Sequence, residues 1–211
     1  MARATKPSGR KRPSFDTSLG RQSGHRESRQ RLLVVCGAKV TERDYLQGLK
    51  SSVRNPAVSV KIVEYPKSPS QVVERAELLR DQAAGEYDET WCVLDVDEFP
   101  NLEHTMIQAR RKNIEVALSN PCFEVWLLLH FVKYRRPAGS FKELLSDLEK
   151  YFPAGYGKTD QKFGLYEPKW RLAATRAKEL AEWGEEHKVN PSTGMWKLAL
   201  AIGGSEPSGG R

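Results

Sequence analysis

The stretch DETWCVLDVDEFPN places three carboxylates within four positions, at Asp95, Asp97 and Glu98. They directly follow an apolar run that is typical of a buried strand. Residues two apart on an extended chain point to the same side, so Asp95 and Asp97 can converge on one point. Paired carboxylates need a counter-ion, and they are the hard oxygen ligands that Mg²⁺ and Mn²⁺ prefer. The spacing therefore predicts a metal site. The alternative is that Asp97 only caps a helix that begins near Pro100.

Two further acids stand where they can join this pair. Glu42 follows the first predicted strand in the string CGAKVTERDY, and Glu124 is almost the only charge in the apolar string SNPCFEVWLLLHF. A charged group in a buried segment requires a partner or a functional site. Glu42 also has a simpler interpretation, as an acid in the first turn of a helix, where the helix dipole favours it. Both interpretations remain open on the sequence alone.

The elements that position these acids alternate along the chain. RLLVVCG, AVSVKIVEY, TWCVLD and IEVALS are typical of strands, and helices are predicted between them. This alternation indicates an α/β fold with a largely parallel sheet. Ligands of such sheets bind at the carboxyl ends of the strands, which is where Asp95 stands. If the first and third strands are neighbours, Glu42 comes close to Asp95.

The character of the sequence changes after residue 133. SFKELLSDLEKYF, KWRLAATRAKELAEWGEEH and NPSTGMWKLALAI are each predicted to be helical. Pro121 is expected in the first turn of the helix that carries Glu124, where its missing N–H is harmless. We therefore expect an α/β core over residues 31–133 and a helical extension packed on it over residues 134–202. Residues 1–30 and 203–211 are expected to be flexible tails.

The net charge of +7 is concentrated at the N-terminus, since residues 1–30 carry +6 and the remainder is nearly neutral. This segment is rich in Ser, Gly and Arg and has almost no apolar residues, so it is expected to be disordered. One interpretation is an arm that binds nucleic-acid phosphates without sequence preference. The alternative is a solubilising tail.

Two clusters of basic residues outside this tail also suit a nucleic-acid ligand. One closes the helix before the fourth strand, and the other follows the helix of Glu124. Basic residues at helix ends also complement the helix dipole, so solvated helix ends are the alternative interpretation. The predicted nucleic-acid contacts are Arg110, Arg111, Lys112, Lys133, Arg135 and Arg136.

The cysteines and the apolar runs bear on the compartment. Cys36, Cys92 and Cys122 lie in apolar contexts without CxxC spacing, which favours buried free thiols in a reducing cytoplasm. No run approaches the roughly 18 apolar residues of a membrane span, and the basic N-terminus lacks the apolar region of a secretory signal. We expect a cytoplasmic protein without a membrane partner.

The strings LLVVCGAKVTERDYLQGL, TWCVLDVDEF, IEVALSNPCFEVWLLLHF, YGKTD and NPSTGMWKL resemble the RloB-like family in order and spacing. The resemblance covers residues 31 to about 200, and SNPCFEVWLLLHF is its most specific part. It implies a Toprim-like three-layer fold and a metal-dependent phosphodiester nuclease of prokaryotic defence loci. Some relatives are encoded beside an ABC/SMC-like ATPase that is regarded as controlling them.

The same resemblance implies roles for individual residues. Asp95 and Asp97 would hold the Mg²⁺ or Mn²⁺ that stabilises the scissile phosphate, and Glu42 and Glu124 would belong to the catalytic site. In Toprim enzymes a glutamate just after the first strand acts as general acid and base. The family pattern there is C-E-G-x-x-T-E, and this chain has CGAKVTE, so Gly37 occupies the position of that glutamate.

Glycine has no side chain that can transfer a proton, so metal binding is better supported than turnover. Glu42 substitutes for the missing acid, the metal acts alone, or the chain is a binding or regulatory subunit that has lost catalysis. An enzyme that cleaves small nucleotides with the same metal chemistry is a further alternative.

Overall fold

The structure, a computed structural model, describes residues 29–96, 102–152, 155–157 and 163–204, together with Met1. Its first half consists of strands that alternate with helices, in the following order along the chain: β1 (Gln30–Cys36), α1 (Thr41–Val53), β2 (Val58–Glu64), α2 (Pro69–Gln82), β3 (Glu89–Asp95), α3 (Leu102–Arg111), β4 (Glu115–Asn120) and α4 (Glu124–Leu129). Its second half is mainly helical and contains α5 (Phe141–Leu148), α6 (Trp170–Lys178), β5 (Ser192–Thr193) and α7 (Met195–Gly203), with short 3₁₀ turns between them.

The strands form one sheet in the order β2-β1-β3-β4-β5. The first four are parallel, and β5 runs antiparallel to β4. The predicted largely parallel sheet is therefore confirmed. The first and third strands are neighbours, which is the condition under which Glu42 comes close to Asp95. Of the predicted tails, residues 2–28 and 205–211 lie outside the described residues, as does Asp97, whereas Gln30 begins β1 and Gly203 ends α7.

Helices cover both faces of the sheet, which makes the fold three-layered. On one face, Leu33, Val35 and Leu94 pack against α2 and α3. On the other face, Val34 and Trp91 pack against α1 and α4, and the helices of the second half join the same cluster. We call these the α2 face and the α1 face. Because alternate residues of a strand point to opposite faces, a strand buried on both faces is apolar throughout, as the sequence of β1 is.

The second half of the chain differs from its prediction in two places. The helix expected over 169–187 ends at Lys178, because the residues after it fold back onto the sheet. The Trp183 ring lies 5.8 Å from that of Trp91, Gly184 has a φ of +89°, and the side chain of Glu186 is buried. The string NPST, expected at the start of a helix, instead forms β5 as an additional strand.

The start of α4 also differs from its prediction. Pro121 does not lie in the first turn of a helix, since α4 begins at Glu124 and the peptide bond between Asn120 and Pro121 is cis. Asn120 is still paired with Ser192 as the last residue of β4, so the chain remains extended there. The three residues that follow make the turn into the helix.

His130 connects α1 and α4 inside the α1 face. The residue is fully buried, its Nδ1 lies 2.9 Å from the carbonyl oxygen of Trp126, and its Nε2 lies 3.0 Å from the hydroxyl oxygen of Tyr45. A carbonyl oxygen only accepts, so Nδ1 carries the proton and Nε2 accepts from Tyr45. The imidazole is thus satisfied in its neutral form, as expected of a packed core histidine.

The burial of His130 predicts a specific dependence of stability on pH. Burial lowers the pKa of His130 from its usual value of 6.5 to about 3. Between these two values the unfolded chain binds a proton that the folded protein does not, so stability falls as the pH falls below 6.5. The loss attributable to this residue is about 1.4 kcal/mol per pH unit. In urea unfolding between pH 7 and pH 5, the free energy of unfolding of His130→Gln should fall less steeply with decreasing pH than that of the wild type. The difference between the two slopes should approach that of one bound proton. The same substitution at exposed His104 is the control, and identical slopes for wild type and His130→Gln would contradict the assignment.

Gly194, between β5 and α7, is a second position at which packing determines the residue type. A Cβ atom there would lie 2.7 Å from Cζ3 of Trp183 and 3.1 Å from Oε1 of Glu186. These groups belong to the segment that folds back onto the sheet, so they cannot move aside without disturbing it.

We expect Gly194→Ala to lower the free energy of unfolding by about 1–3 kcal/mol through overpacking. Gly164→Ala is the matched control, because a Cβ at Gly164 would meet nothing within 4 Å. Thermal and urea unfolding of both variants measure the difference. Equal stability of the two variants would show that the segment around Trp183 is not held as described.

No helix among the described residues combines the length and the apolar character that crossing a bilayer requires.

Candidate active site

Three acids collect at the carboxyl edge of the sheet, where three adjacent parallel strands end. Asp95 is the last residue of β3, Glu42 lies in the first turn of α1 just after β1, and Glu124 is the first residue of α4 just after β4. Each acid therefore comes from a different strand or connection. The predicted proximity of these segments follows from the strand order.

Glu42 is anchored to the turn between β1 and α1. It is 1% exposed, and its Oε2 accepts a hydrogen bond of 3.0 Å from the backbone N–H of Ala38. Ala38 stands two residues before the N-cap residue, Val40, so this bond ties the carboxylate to the turn between β1 and α1 and does not cap the helix. Burial raises the pKa of the Cys36 thiol, and the charge of Glu42 raises it further. The carboxylate thus lies beside the end of β1.

Asp95 lies on the α1 face of the sheet, because it continues the alternation of Trp91 and Val93. It is partly exposed, although its Oδ1 atom is buried. Its partner in the register is Ser119 on β4, whose hydroxyl lies 2.8 Å from that of Thr193 on β5. The site is therefore bordered on one side by a pair of buried hydroxyl groups.

Glu124 is 3% exposed and receives a hydrogen bond from a neutral group. The Tyr156 hydroxyl donates to its Oε1 at 3.2 Å. Burial raises the pKa of the Cys122 thiol, and the charges of Glu124 and Asp95 raise it further. The charges of two acids of this edge thus act on the same thiol.

The predicted metal pair is only partly described. Within residues 29–96, 102–152, 155–157 and 163–204, no three His, Cys, Asp or Glu side chains are grouped so that they could hold a metal ion. Asp97 stands outside these residues. The carboxylate oxygens at this edge are nevertheless the donor type that Mg²⁺ and Mn²⁺ prefer. Metal binding by Asp95 and Asp97 stays a prediction.

Gly37 extends the pairing of β1 by one residue, since its N–H donates to the carbonyl oxygen of Val93 at 2.9 Å. A Cβ atom at this position would lie 3.2 Å from that oxygen and 3.2 Å from Cδ2 of Leu94, with Val72 also nearby. Leu94 and Val72 belong to the α2 face, whereas Asp95 points to the α1 face. A side chain at Gly37 would therefore begin on the opposite face from Asp95 and in a crowded position.

The family model for RloB-like protein matches residues 32–202 of the chain. The chain belongs to the RloB-like family. No curated protein and no solved structure matches it significantly. The match includes all three segments that carry the acids of this edge, together with the segment that carries Tyr156.

The predicted nucleic-acid contacts of this RloB-like protein lie in two separate places. Arg110, Arg111 and Lys112 stand at the end of α3, next to the start of β4 and thus at the amino edge of the sheet, opposite the acids. Lys112 is ion-paired with Glu77 of α2, and Arg110 and Arg111 are exposed.

The second cluster is exposed and is paired with acids of the second half of the chain. Lys133 and Arg135 both contact Glu179, at 3.3 and 2.9 Å, and lower its pKa, while Arg136 is paired with Asp147. The structure does not bring the two clusters together. Contacts of either cluster with nucleic acid stay predictions.

Several residues around the acids were not singled out from the sequence of the RloB-like chain. Tyr156 donates to Glu124, the charge of Glu124 raises the pKa of Cys122, and Ser119 and Thr193 border Asp95. All four lie in strings that carry the family resemblance, namely YGKTD, SNPCFEV and NPST. Membership of these strings is the signal that would have pointed to them, since periodicity carries no information in such short loops.

The bond from Ala38 to Glu42 predicts a difference between two substitutions. Glu42→Ala removes the acceptor and should lower the free energy of unfolding by about 1–2 kcal/mol, because the Ala38 N–H loses its partner. Glu42→Gln retains an oxygen that can accept the same bond and should remain close to the wild type. Urea unfolding measures both, and Glu74→Ala, on the exposed side of α2, controls for the change to alanine. Wild-type stability of Glu42→Ala would show that the contact contributes nothing.

Proposed function

We propose that this RloB-like protein is a Toprim-like, Mg²⁺- or Mn²⁺-dependent phosphodiester nuclease. The observation that carries the proposal is the collection of Glu42, Asp95 and Glu124 at the carboxyl ends of three adjacent parallel strands. This edge is where ligands of open α/β sheets bind. Family membership is consistent with it, since the resemblance implies the same chemistry.

The metal would be held by Asp95, at the end of β3, together with Asp97. When bound, it would neutralise charge on the scissile phosphate and lower the pKa of a water molecule that attacks it. Asp95 contributes a carboxylate fixed by the sheet. Glu124, held by the Tyr156 hydroxyl at 3.2 Å, would complete or support the site.

Glu42 would carry out proton transfer in place of the glutamate that Gly37 replaces. Its carboxylate is held by the Ala38 N–H, and a bond from an N–H favours the charged form that accepts a proton. A positioned acid or base typically contributes about 10²–10⁴-fold to the rate. Its removal should therefore reduce cleavage strongly without removing the metal.

The substrate would be DNA or RNA, contacted by the basic clusters and by the N-terminal segment with its charge of +6. By the resemblance to the family, the setting would be antiviral defence by abortive infection in the cytoplasm. An ABC/SMC-like ATPase encoded nearby would be the partner that controls the activity. Three free buried cysteines fit a reducing compartment.

A second candidate function is supported by Gly37. Glycine has no side chain, so the acid expected by the family pattern is absent. A Cβ atom at this position would also be crowded. On this alternative the chain is a nucleic-acid-binding or regulatory subunit of a defence complex that has lost turnover.

Calorimetric titration with Mn²⁺ and cleavage assays on tRNA and plasmid test the proposal. Wild type should bind Mn²⁺ and cleave at least one substrate, Asp95→Asn should lose both, and Glu42→Gln should retain Mn²⁺ binding while cleavage falls by about 10²–10⁴-fold. Asp81→Asn, at an exposed position near the end of α2, is the matched control and should behave as wild type.

The outcomes separate the two candidates. Absence of Mn²⁺ binding in the wild type would exclude the metal site, and Asp95 would then be a structural residue. Mn²⁺ and nucleic-acid binding without cleavage, in the presence and absence of ATPases from the same locus, would favour the regulatory subunit.

A further inference from the structure

One side chain from the second half of the chain reaches the acids at the carboxyl edge. It is that of Tyr156, which lies in the short described segment 155–157 between α5 and α6. Its hydroxyl donates to Oε1 of Glu124 at 3.2 Å. Glu124 is the first residue of α4. Tyr156 therefore holds the acid at the start of this helix.

The direction of this hydrogen bond follows from the chemistry of the two groups. A phenol has one proton, and the carboxylate of Glu124 accepts it. Burial raises the pKa of Tyr156, and the negative charge of Glu124 raises it further, so the phenol keeps its proton. The phenol is thus a neutral donor to Oε1 of Glu124.

The ring of Tyr156 is held by aromatic neighbours of the second half. It packs edge-to-face on Phe152 at 5.5 Å between centroids and lies 6.5 Å from Phe141 of α5. Both neighbours belong to the hydrophobic cluster of the α1 face. The position of the hydroxyl is thus set by packing that does not depend on Glu124.

We propose that Tyr156 is a positioning residue of the nuclease site: its hydroxyl fixes Oε1 of Glu124, so that this carboxylate is held at the edge of the sheet where Asp95 and Glu42 also stand. This inference rests on the proposed function. Tyr156 acts through Glu124, so its removal should impair the chemical step and leave substrate binding intact.

Tyr156→Phe tests the inference, because phenylalanine keeps the ring and its packing and removes only the hydroxyl. In metal-dependent cleavage assays we expect kcat to fall by about 10–100-fold, which is typical when a residue that orients a metal-binding side chain is removed. KM for the nucleic acid should be unchanged. In the Glu124→Gln background the same substitution should change kcat by less than about twofold, because a residue that acts through Glu124 has nothing further to orient.

Tyr151→Phe is the matched control. Tyr151 is a partly exposed tyrosine of the same half of the chain, and its ring stacks on Phe131 at 4.9 Å. It should retain wild-type kcat and KM. If Tyr156→Phe lowers the melting temperature as well as kcat, the assays are repeated at a temperature at which both proteins are fully folded. The fall in kcat at unchanged KM should persist there, and its disappearance would overturn the inference.

Failure of the inference and failure of the proposed function are distinguishable. If wild type cleaves and Tyr156→Phe keeps its kcat within about twofold, Tyr156 has no positioning role and the nuclease assignment stands. A rise in KM with unchanged kcat would also overturn the inference, because Tyr156 would then contact substrate. If wild type neither binds Mn²⁺ nor cleaves, the proposed function fails and the positioning role fails with it.

Discussion

The structure depends on the parallel pairing of β1, β3 and β4 in the middle of the sheet. Strands that run the same way end at the same edge, so the connections that leave them begin side by side. Helices cover both faces of these strands, and polar groups can reach solvent only at the ends. A carboxylate placed at the end of one strand therefore lies near those that follow its neighbours. The direction of the strands alone therefore brings the acids to one edge, without any contact between their side chains.

Burial at this edge disfavours the negative charge of the acids. Glu42 and Glu124 are almost completely shielded from solvent, although a buried carboxylate requires donors to remain ionised. The donors described around them include a backbone N–H and a phenol. Neutral donors of this kind stabilise negative charge without cancelling it, so they maintain a field that favours a cation. Burial is the main cause of the raised pKa values of Cys36, Cys122 and Tyr156, and the charge of Glu42 or Glu124 raises them further.

The sequence predicts those parts of the fold in which burial imposes a pattern. The four parallel strands and the first three helices follow from apolar runs and helical periodicity. Asp95 lies at a strand end as predicted, and Glu42 and Glu124 follow the neighbouring strands. β5 has two residues and no periodicity, so nothing in the string NPST distinguishes it from a helix start. α6 ends early because tertiary packing of Trp183 outweighs local helix propensity. Tyr156 is brought to the site by the packing of a loop, and a loop carries no periodic signal that predicts such a contact.

The ion pairs of the segment after α4 affect how binding of a polyanion there would depend on ionic strength. Lys133 and Arg135 share Glu179, and Arg136 is paired with Asp147, so the protein's own carboxylates already occupy the places that phosphates would take. A polyanion that binds there exchanges one acid for another and displaces few small ions from these bases. Its affinity would decline with salt less steeply than the number of basic residues implies, because that decline measures the counterions released. Glu179 and Asp147 thus compete with phosphates for the same basic side chains. A ligand binds there only if its phosphates interact with these bases more favourably than the two carboxylates do.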